Sequence, residues 1–300
     1  VVNGKVTVSA VFISNLIASL FTVLVLLPEY LKIKLEWSRE LLQKMLLYSL
    51  PIMIAGFAGI VNETVDRILI KYLLPADISM TQLGIYGACY KVSILMTIFI
   101  QAFRYAAEPF FFSNAKDKDA PNLYASVMNY FVITVSFIFL AIMMYIDIVI
   151  LFVGEDFREG VKVIPVLLMA NLFLGVYYNL SIWYKLTNKT MYGAYLSIVG
   201  AVVTLLLNFI LIPIMGYMGA AWATFACYSS MMVLSYFIGQ KHYPVNYNLK
   251  NLFLYIGLAV LLYLISVLLN IQSLVIMYSV NTLLLILFVV IVYLRERKGL

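Results

Sequence analysis

Apolar residues run along this 300-residue chain in nine long blocks, at roughly 6–27, 45–72, 83–112, 122–148, 161–184, 190–213, 216–239, 249–270 and 273–294. A helix crossing the hydrocarbon needs about 20 residues. Backbone groups cannot stay unpaired in lipid, so helices are the default for such runs. The blocks are too long and too uniformly apolar for the alternating strands of a barrel. The pattern predicts an all-α fold, a polytopic transmembrane helical bundle of about nine spans. The polar connections are short. The longest, Pro28 to Lys44, carries Trp37 and a periodic apolar face, and is expected to hold a helix lying on the membrane surface.

Composition sharpens this picture. The chain is 64% hydrophobic and 11% charged, against about 25% charged residues in soluble domains, so a water-soluble fold is excluded. Its 23 Tyr and 19 Phe suit bilayer interfaces or a wet cavity. The net charge of +6 comes from basic residues between spans, not from a basic patch with its own fold, so nucleic acid is not an expected partner. Thirteen Lys and Arg fall in one set of loops and four in the other. The positive-inside bias then puts the first set and the C-terminus in the cytoplasm. Val1 would lie outside, almost at the start of a span, which reads as part of a longer protein with spans upstream. Cys89 and Cys227 are expected to be reduced packing residues, and no metal site is expected, since His242 is the one histidine. Gly154 to Gly160 form the longest outer loop, read as a solvated turn rather than a gate. Trp183 and Tyr184 are expected in the cytoplasmic aromatic belt.

Charges break into two spans. The second holds Glu63, Asp66 and Arg67, with Asn62; the third holds Lys91, Arg104 and Glu108, with Gln101. Spacings of three and four let Asn62, Glu63, Asp66 and Arg67 crowd one side of a helix, with Glu63 and Arg67 placed to pair. Gln101, Arg104 and Glu108 form one stripe. At about 1.5 Å per residue, Lys91 is level with Asp66, and Arg104 and Glu108 lie about 20 Å deeper. A Lys91 pair with Asp66 or Glu63 is expected. A charge at mid-membrane costs at least about 2.5–3.5 kcal/mol. Six on two adjacent helices therefore imply a wet cavity or mutual pairing. The blander alternatives are Arg67 snorkelling beside Lys71 and Arg104 and Glu108 forming a structural pair near the inner interface. Pro51, with Gly56 and Gly59, and Pro109 weaken these helices and are candidate hinges. Asn171, Asn179 and Asn208 are expected to hydrogen-bond between helices.

NFILIPIMGYMGAAWATF, from Asn208 to Phe225, resembles a signature of the multidrug/oligosaccharidyl-lipid/polysaccharide (MOP) exporter superfamily. Pro213 would end one helix, Gly216 and Gly219 make a tight hairpin, and Ala220, Ala221 and Ala223 allow close packing. VNETVDRILIKYLLP, LGIYGACYK and FRYAAEPFFF resemble stretches of the bacterial polysaccharide (O-antigen and lipopolysaccharide, Wzx-like) flippase branch. The resemblance covers about residues 45 to 240.

It implies two six-helix bundles around a central cavity. On that scheme residues 1–28 are the last helix of the first bundle, 29–44 a cytoplasmic linker, 45–240 the second bundle, and 249–294 two extra helices that drug exporters lack. The implied activity is alternating-access flipping of a polyprenyl-diphosphate-linked oligosaccharide in the bacterial cytoplasmic (inner) membrane, for lipopolysaccharide or capsule biosynthesis. Membrane lipids, and a glycan polymerase and glycosyltransferases, are the implied partners. No cofactor is expected beyond a coupling proton or sodium ion. The family's cavity charges match Asp66, Arg67, Lys91 and Arg104; Glu63 and Glu108 join them from helix geometry alone. Arg67, Lys91 and Arg104 are the expected headgroup lining. Glu63, Asp66 and Glu108 are the expected ion-coupling or charge-balancing groups, and none is expected to be catalytic. The competing readings are an ion-coupled multidrug or metabolite exporter, which 249–294 argue against, and a membrane-embedded glycan polymerase or glycosyltransferase. For the latter the chain has no Asp-x-Asp, no suitable His and no large outer loop.

Overall fold

The computed structural model describes residues 8–32 and 37–297. Among these residues nine helices are long and apolar enough to cross a membrane, matching the nine blocks. The chain divides into two compact units, Val1–Leu46 and Leu47–Leu300. The first holds the largely apolar α1 (Val8–Tyr30) and the first turns of α2 (Arg39–Leu73). Among the described residues no separate surface helix precedes α2. Residues 33–36 of that segment lie outside the described residues, and Ser38 instead starts α2, its Oγ accepting from the Leu41 amide at 3.2 Å.

The second unit is built around α6 (Ile164–Leu180), which packs against α3 (Ala76–Ser113), α4 (Ala120–Met144) and α9 (Tyr217–His242). Twelve of its seventeen residues are buried, Asn171 and Asn179 among them. Such all-round burial is what an apolar helix without a polar face requires. Faces not used in packing stay apolar: Phe209, Ile210 and Ile214 are all more than half exposed. These are the sides that lipid would cover.

Several boundaries differ from the sequence reading, each for a local reason. The turn between α2 and α3 is only Leu74 and Pro75, because Pro75 lacks an amide and suits a helix start. The fourth span ends at Met144, and a short α5 (Ile146–Val149) and a 3-10 turn follow. The outer loop is not a free turn. Residues Glu155–Val163 form a 3-10 helix docked on α3, where a Cβ on Gly160 would sit 2.5 Å from Ile85 and the Phe157 carbonyl accepts from Cys89 Sγ. Beyond α6 the helix breaks at Ser181, and α7 (Ile182–Leu186) is a separate short element.

The α8 (Met191–Met215) to α9 hairpin carries the signature stretch. Pro213 does not end α8, as it lies in the last turn; the helix stops at Gly216, whose φ of +59° favours glycine. Gly219 then lets α9 run against the end of α8, with Ala220, Ala221 and Ala223 fully buried behind it. Cys227 is a free, buried packing residue whose Sγ reaches the Gly200 carbonyl at 3.3 Å, and Cys89 is free and buried too.

The last pair, α10 (Leu249–Leu269) and α11 (Leu274–Glu296), packs on α4. Polar bonds tie it there: Asn281 Nδ2 donates to the Met144 carbonyl at 2.7 Å and Ser266 Oγ to Asn281 Oδ1 at 2.6 Å. Glu296 accepts from Asn129 and from the Tyr255 hydroxyl.

A methyl group at Gly219 would lie 2.3 Å from the Leu211 carbonyl oxygen, which is backbone and cannot swing aside. Gly219→Ala is therefore expected to destabilise the hairpin by about 1–3 kcal/mol. Gly257→Ala on α10, where nothing stands within 4 Å, should be neutral or slightly stabilising. Thermal unfolding in detergent distinguishes the two.

Candidate functional site

The charges of α2 do not share one side. Asn62, Asp66 and Ile70 follow one another at four-residue steps and are all buried. Glu63 and Arg67 sit one residue further on, about 100° around the helix. Asp66 is 1% exposed. Its Oδ2 accepts from the Tyr86 hydroxyl of α3 at 2.5 Å and its Oδ1 from the Arg67 amide at 2.7 Å. Arg67 does not pair with the Glu63 side chain. Its guanidinium donates to the Glu63 backbone carbonyl at 2.6 Å, lies 4.0 Å over the Tyr90 ring, and approaches Asp66 at 4.0 Å. Among the described residues Lys91 makes no ion pair, so the expected bond to Asp66 or Glu63 is absent; Tyr86 has taken that place beside Asp66. Arg67, Tyr90 and Lys91 together border an open depression of about 510 Å³.

Deeper along α3 lies a different space. A cavity of about 330 Å³ opens between α2, α3, α6 and α7, with α8 and α9 behind. Glu63, Gln101 and Arg104 line it, and so do Tyr177, Tyr178, Tyr184, Tyr228 and Lys185. Gly56 and Gly59 form part of its α2 wall and have open space where a Cβ would go. The expected Arg104–Glu108 pair is present, with Nε to Oε1 at 3.8 Å. The same oxygen also bonds Lys185 Nζ. Arg104 further lies 4.9 Å over the Tyr178 ring. Glu63 faces this cavity, and its carboxylate has no ion-pair partner among the described residues.

The six expected charges are thus divided. Arg104 and Glu63 share the cavity, Glu108 borders it through its two cations, Arg67 and Lys91 border the depression, and Asp66 is sealed in the packing between α2 and α3. Pro51 is buried in α2 and Pro109 is exposed on α3, both within continuous helix.

Other expectations change with burial. Trp183 and Tyr184 are not belt residues: they are 3% and 6% exposed. Trp183 stacks on His242 with centroids 5.2 Å apart, and Tyr184 packs over Gly193 and faces the cavity. The Ser181 break turns α7 inward and causes this placement. Asn171 bonds between helices, to the Ser93 carbonyl at 3.4 Å. Asn179 and Asn208 instead donate to carbonyls of their own helices, Gly175 and Thr204. Sequence reading missed Lys185 by assigning it to a loop, and missed Tyr228 because a tyrosine inside an apolar run carries no distinguishing spacing. Among the described residues the Tyr228 hydroxyl and Asn62 Oδ1, buried on the cavity wall, have no hydrogen-bond partner. Among the described residues no group of three His, Cys, Asp or Glu side chains is placed to hold a metal ion.

Removing the Tyr86 hydroxyl would strip a charge-assisted bond from a sealed carboxylate. Tyr86→Phe should cost about 1.5–3 kcal/mol, and adding Asp66→Asn should recover part of the loss, because a neutral amide tolerates the site better. A double-mutant cycle on thermal stability reads the coupling.

Comparison with known proteins fits this geometry. A family described as polysaccharide biosynthesis protein matches residues 2–162. No curated protein matches the chain. Among solved structures, the lipid II flippase MurJ in an inward closed conformation superposes with a TM-score of 0.57 at 15% identity, covering 94% of this chain. The chain spans 61% of that protein's length. On the family match, the chain belongs to the polysaccharide biosynthesis protein family, and its fold resembles that of MurJ.

Proposed function

We propose that this protein takes part in flipping a lipid-linked glycan across a membrane. Family membership and fold support the reading, and one observation carries it. At the depth of the candidate spans, a cavity of mixed polar and apolar lining holds two cations, a carboxylate without an ion-pair partner among the described residues, and several tyrosines, while apolar helix faces surround the unit. Charges at that depth are retained where they meet water or a polar ligand. A lipid tail can remain in the bilayer, so only the headgroup needs such a route.

The finer reading rests on the family resemblance of the sequence, and the chemistry of the site is compatible with it. The headgroup is a polyprenyl diphosphate bearing an oligosaccharide, moved from the cytoplasmic to the outer leaflet by alternating access, for lipopolysaccharide, O-antigen or capsule synthesis in the bacterial inner membrane. Arg104 binds phosphate, and tyrosine faces and hydroxyls suit sugar rings. Arg67 and Lys91, at the opposite end, serve as a second anion stop on the way out. Glu63 is the group best placed for a coupling proton or sodium ion, since it faces the cavity unpaired. Asp66 holds α2 against α3. Bending at Pro51 and Pro109 would let α2 and α3 rock. Residues 45–240 form the second bundle, 249–294 the extra pair, and glycosyltransferases and a polymerase supply and consume the glycan.

Glycan export in cells expressing variants at equal levels tests this. Arg104→Ala should lower export about tenfold or more. Gly59→Phe, which fills the cavity without replacing a charged residue, should lower it comparably. Normal export from both would remove the cavity from the mechanism.

A further inference from the structure

Glu108 is shared by two cations, Arg104 and Lys185, through one oxygen, Oε1. Both cations line the cavity, whereas Glu108 approaches them from the neighbouring crevice. The three side chains keep 33%, 19% and 36% exposure for Arg104, Lys185 and Glu108. Asp66, by contrast, is shut away at 1%. An ion pair that remains in touch with water is worth little, about 0–1 kcal/mol. It can be exchanged for another anion without leaving a buried charge stranded.

The two cations are held differently. Arg104 lies over the Tyr178 ring at 4.9 Å, so its guanidinium keeps a partner when the carboxylate leaves. Lys185 sits on the five-residue α7, set off from α6 by the break at Ser181, and Glu108 is its one ion-pair partner among the described residues. Arg104 thus offers a fixed, planar fork and Lys185 a mobile point charge. Together they form a two-cation cradle whose resting occupant is the protein's own carboxylate.

We propose that Glu108 is a built-in stand-in for a phosphate group: Lys185, with Arg104, binds the diphosphate of the transported headgroup where Glu108 now sits, and Glu108 takes the cations back on release. This rests on the flippase reading and deepens it, adding Lys185 as a headgroup-binding residue and giving Glu108 a competing role in place of ion coupling. Competition of this kind keeps phosphate binding weak enough for release. It also leaves neither cation bare at membrane depth between cycles.

The test is binding of inorganic pyrophosphate to the purified chain in nanodiscs, by calorimetry, with a parallel arm using polyprenyl diphosphate in the nanodisc lipid. Glu108→Gln should tighten pyrophosphate binding by about three- to fivefold, the range a partly exposed pair allows. Lys185→Gln should weaken it by at least as much, and the double variant should return near the starting affinity. Glu108→Asp, a milder change should Glu108→Gln fold poorly, should move the same way to a smaller extent. Polyprenyl diphosphate should compete with pyrophosphate; if it does not, the cradle takes free phosphates and the link to the headgroup is overturned. Unchanged or weaker binding in both Glu108 variants, or no pyrophosphate binding at all, overturns the proposal. Wild-type glycan export by Lys185→Gln would also overturn it, while an export defect in Arg104→Ala would still stand for the flippase reading.

Discussion

An ionised side chain cannot lie bare among acyl chains, and that constraint organises the charged half of this bundle. Five of the six expected charges on α2 and α3 meet it by distinct contacts, and Lys91 lies exposed beside the open depression. Asp66 is enclosed and bonded by Tyr86 and a backbone amide. Arg67 combines a carbonyl and an aromatic face. Arg104 and Lys185 share the Glu108 carboxylate at the margin of a cavity, and Glu63 faces that cavity directly. The first arrangement is structural and permanent, and the last two are open to exchange. The flipping role proposed above calls for both kinds, one to hold helices together and one to be given up to a ligand.

The cavity exists because neighbouring helices are packed tightly elsewhere. α6 is buried on nearly all sides, and the α8–α9 hairpin closes through Gly219 and three buried alanines. Against that firm wall, α2 presents Gly56 and Gly59 and leaves space between. The interruption at Ser181 then carries Tyr184 and Lys185 inward, completing the polar lining from the far side.

Much of this was legible in the sequence. Nine apolar blocks gave nine span-length helices among the described residues, because length and hydropathy suffice where lipid forbids unpaired backbone. Asn208 to Phe225 announced a hairpin, as Gly216 and Gly219 have geometric jobs no other residue does. Arg104 with Glu108 followed from four-residue spacing. What spacing could not supply was the partner across helices. Lys91 and Asp66 share a level, yet Tyr86 is the residue that reaches the carboxylate. Lys185 looked like a loop residue because nothing local in its sequence marks the break at Ser181 as an inward turn. The 100° between Asp66 and Arg67 was enough to send neighbours into separate environments, a distinction that a count of charges per span blurs.

On the proposed function, the space beside Glu63, Gln101 and Arg104 is filled with water within the membrane. Cysteine accessibility measures this directly, and the native Cys89 and Cys227 are buried enough to give a low background. In intact membranes, a small charged thiol reagent should modify Gly59→Cys and Gln101→Cys and spare Phe209→Cys and Ile214→Cys on the outward faces. Equal protection of all four positions would mean the cavity is dry, and the role assigned to its charges would fail with it.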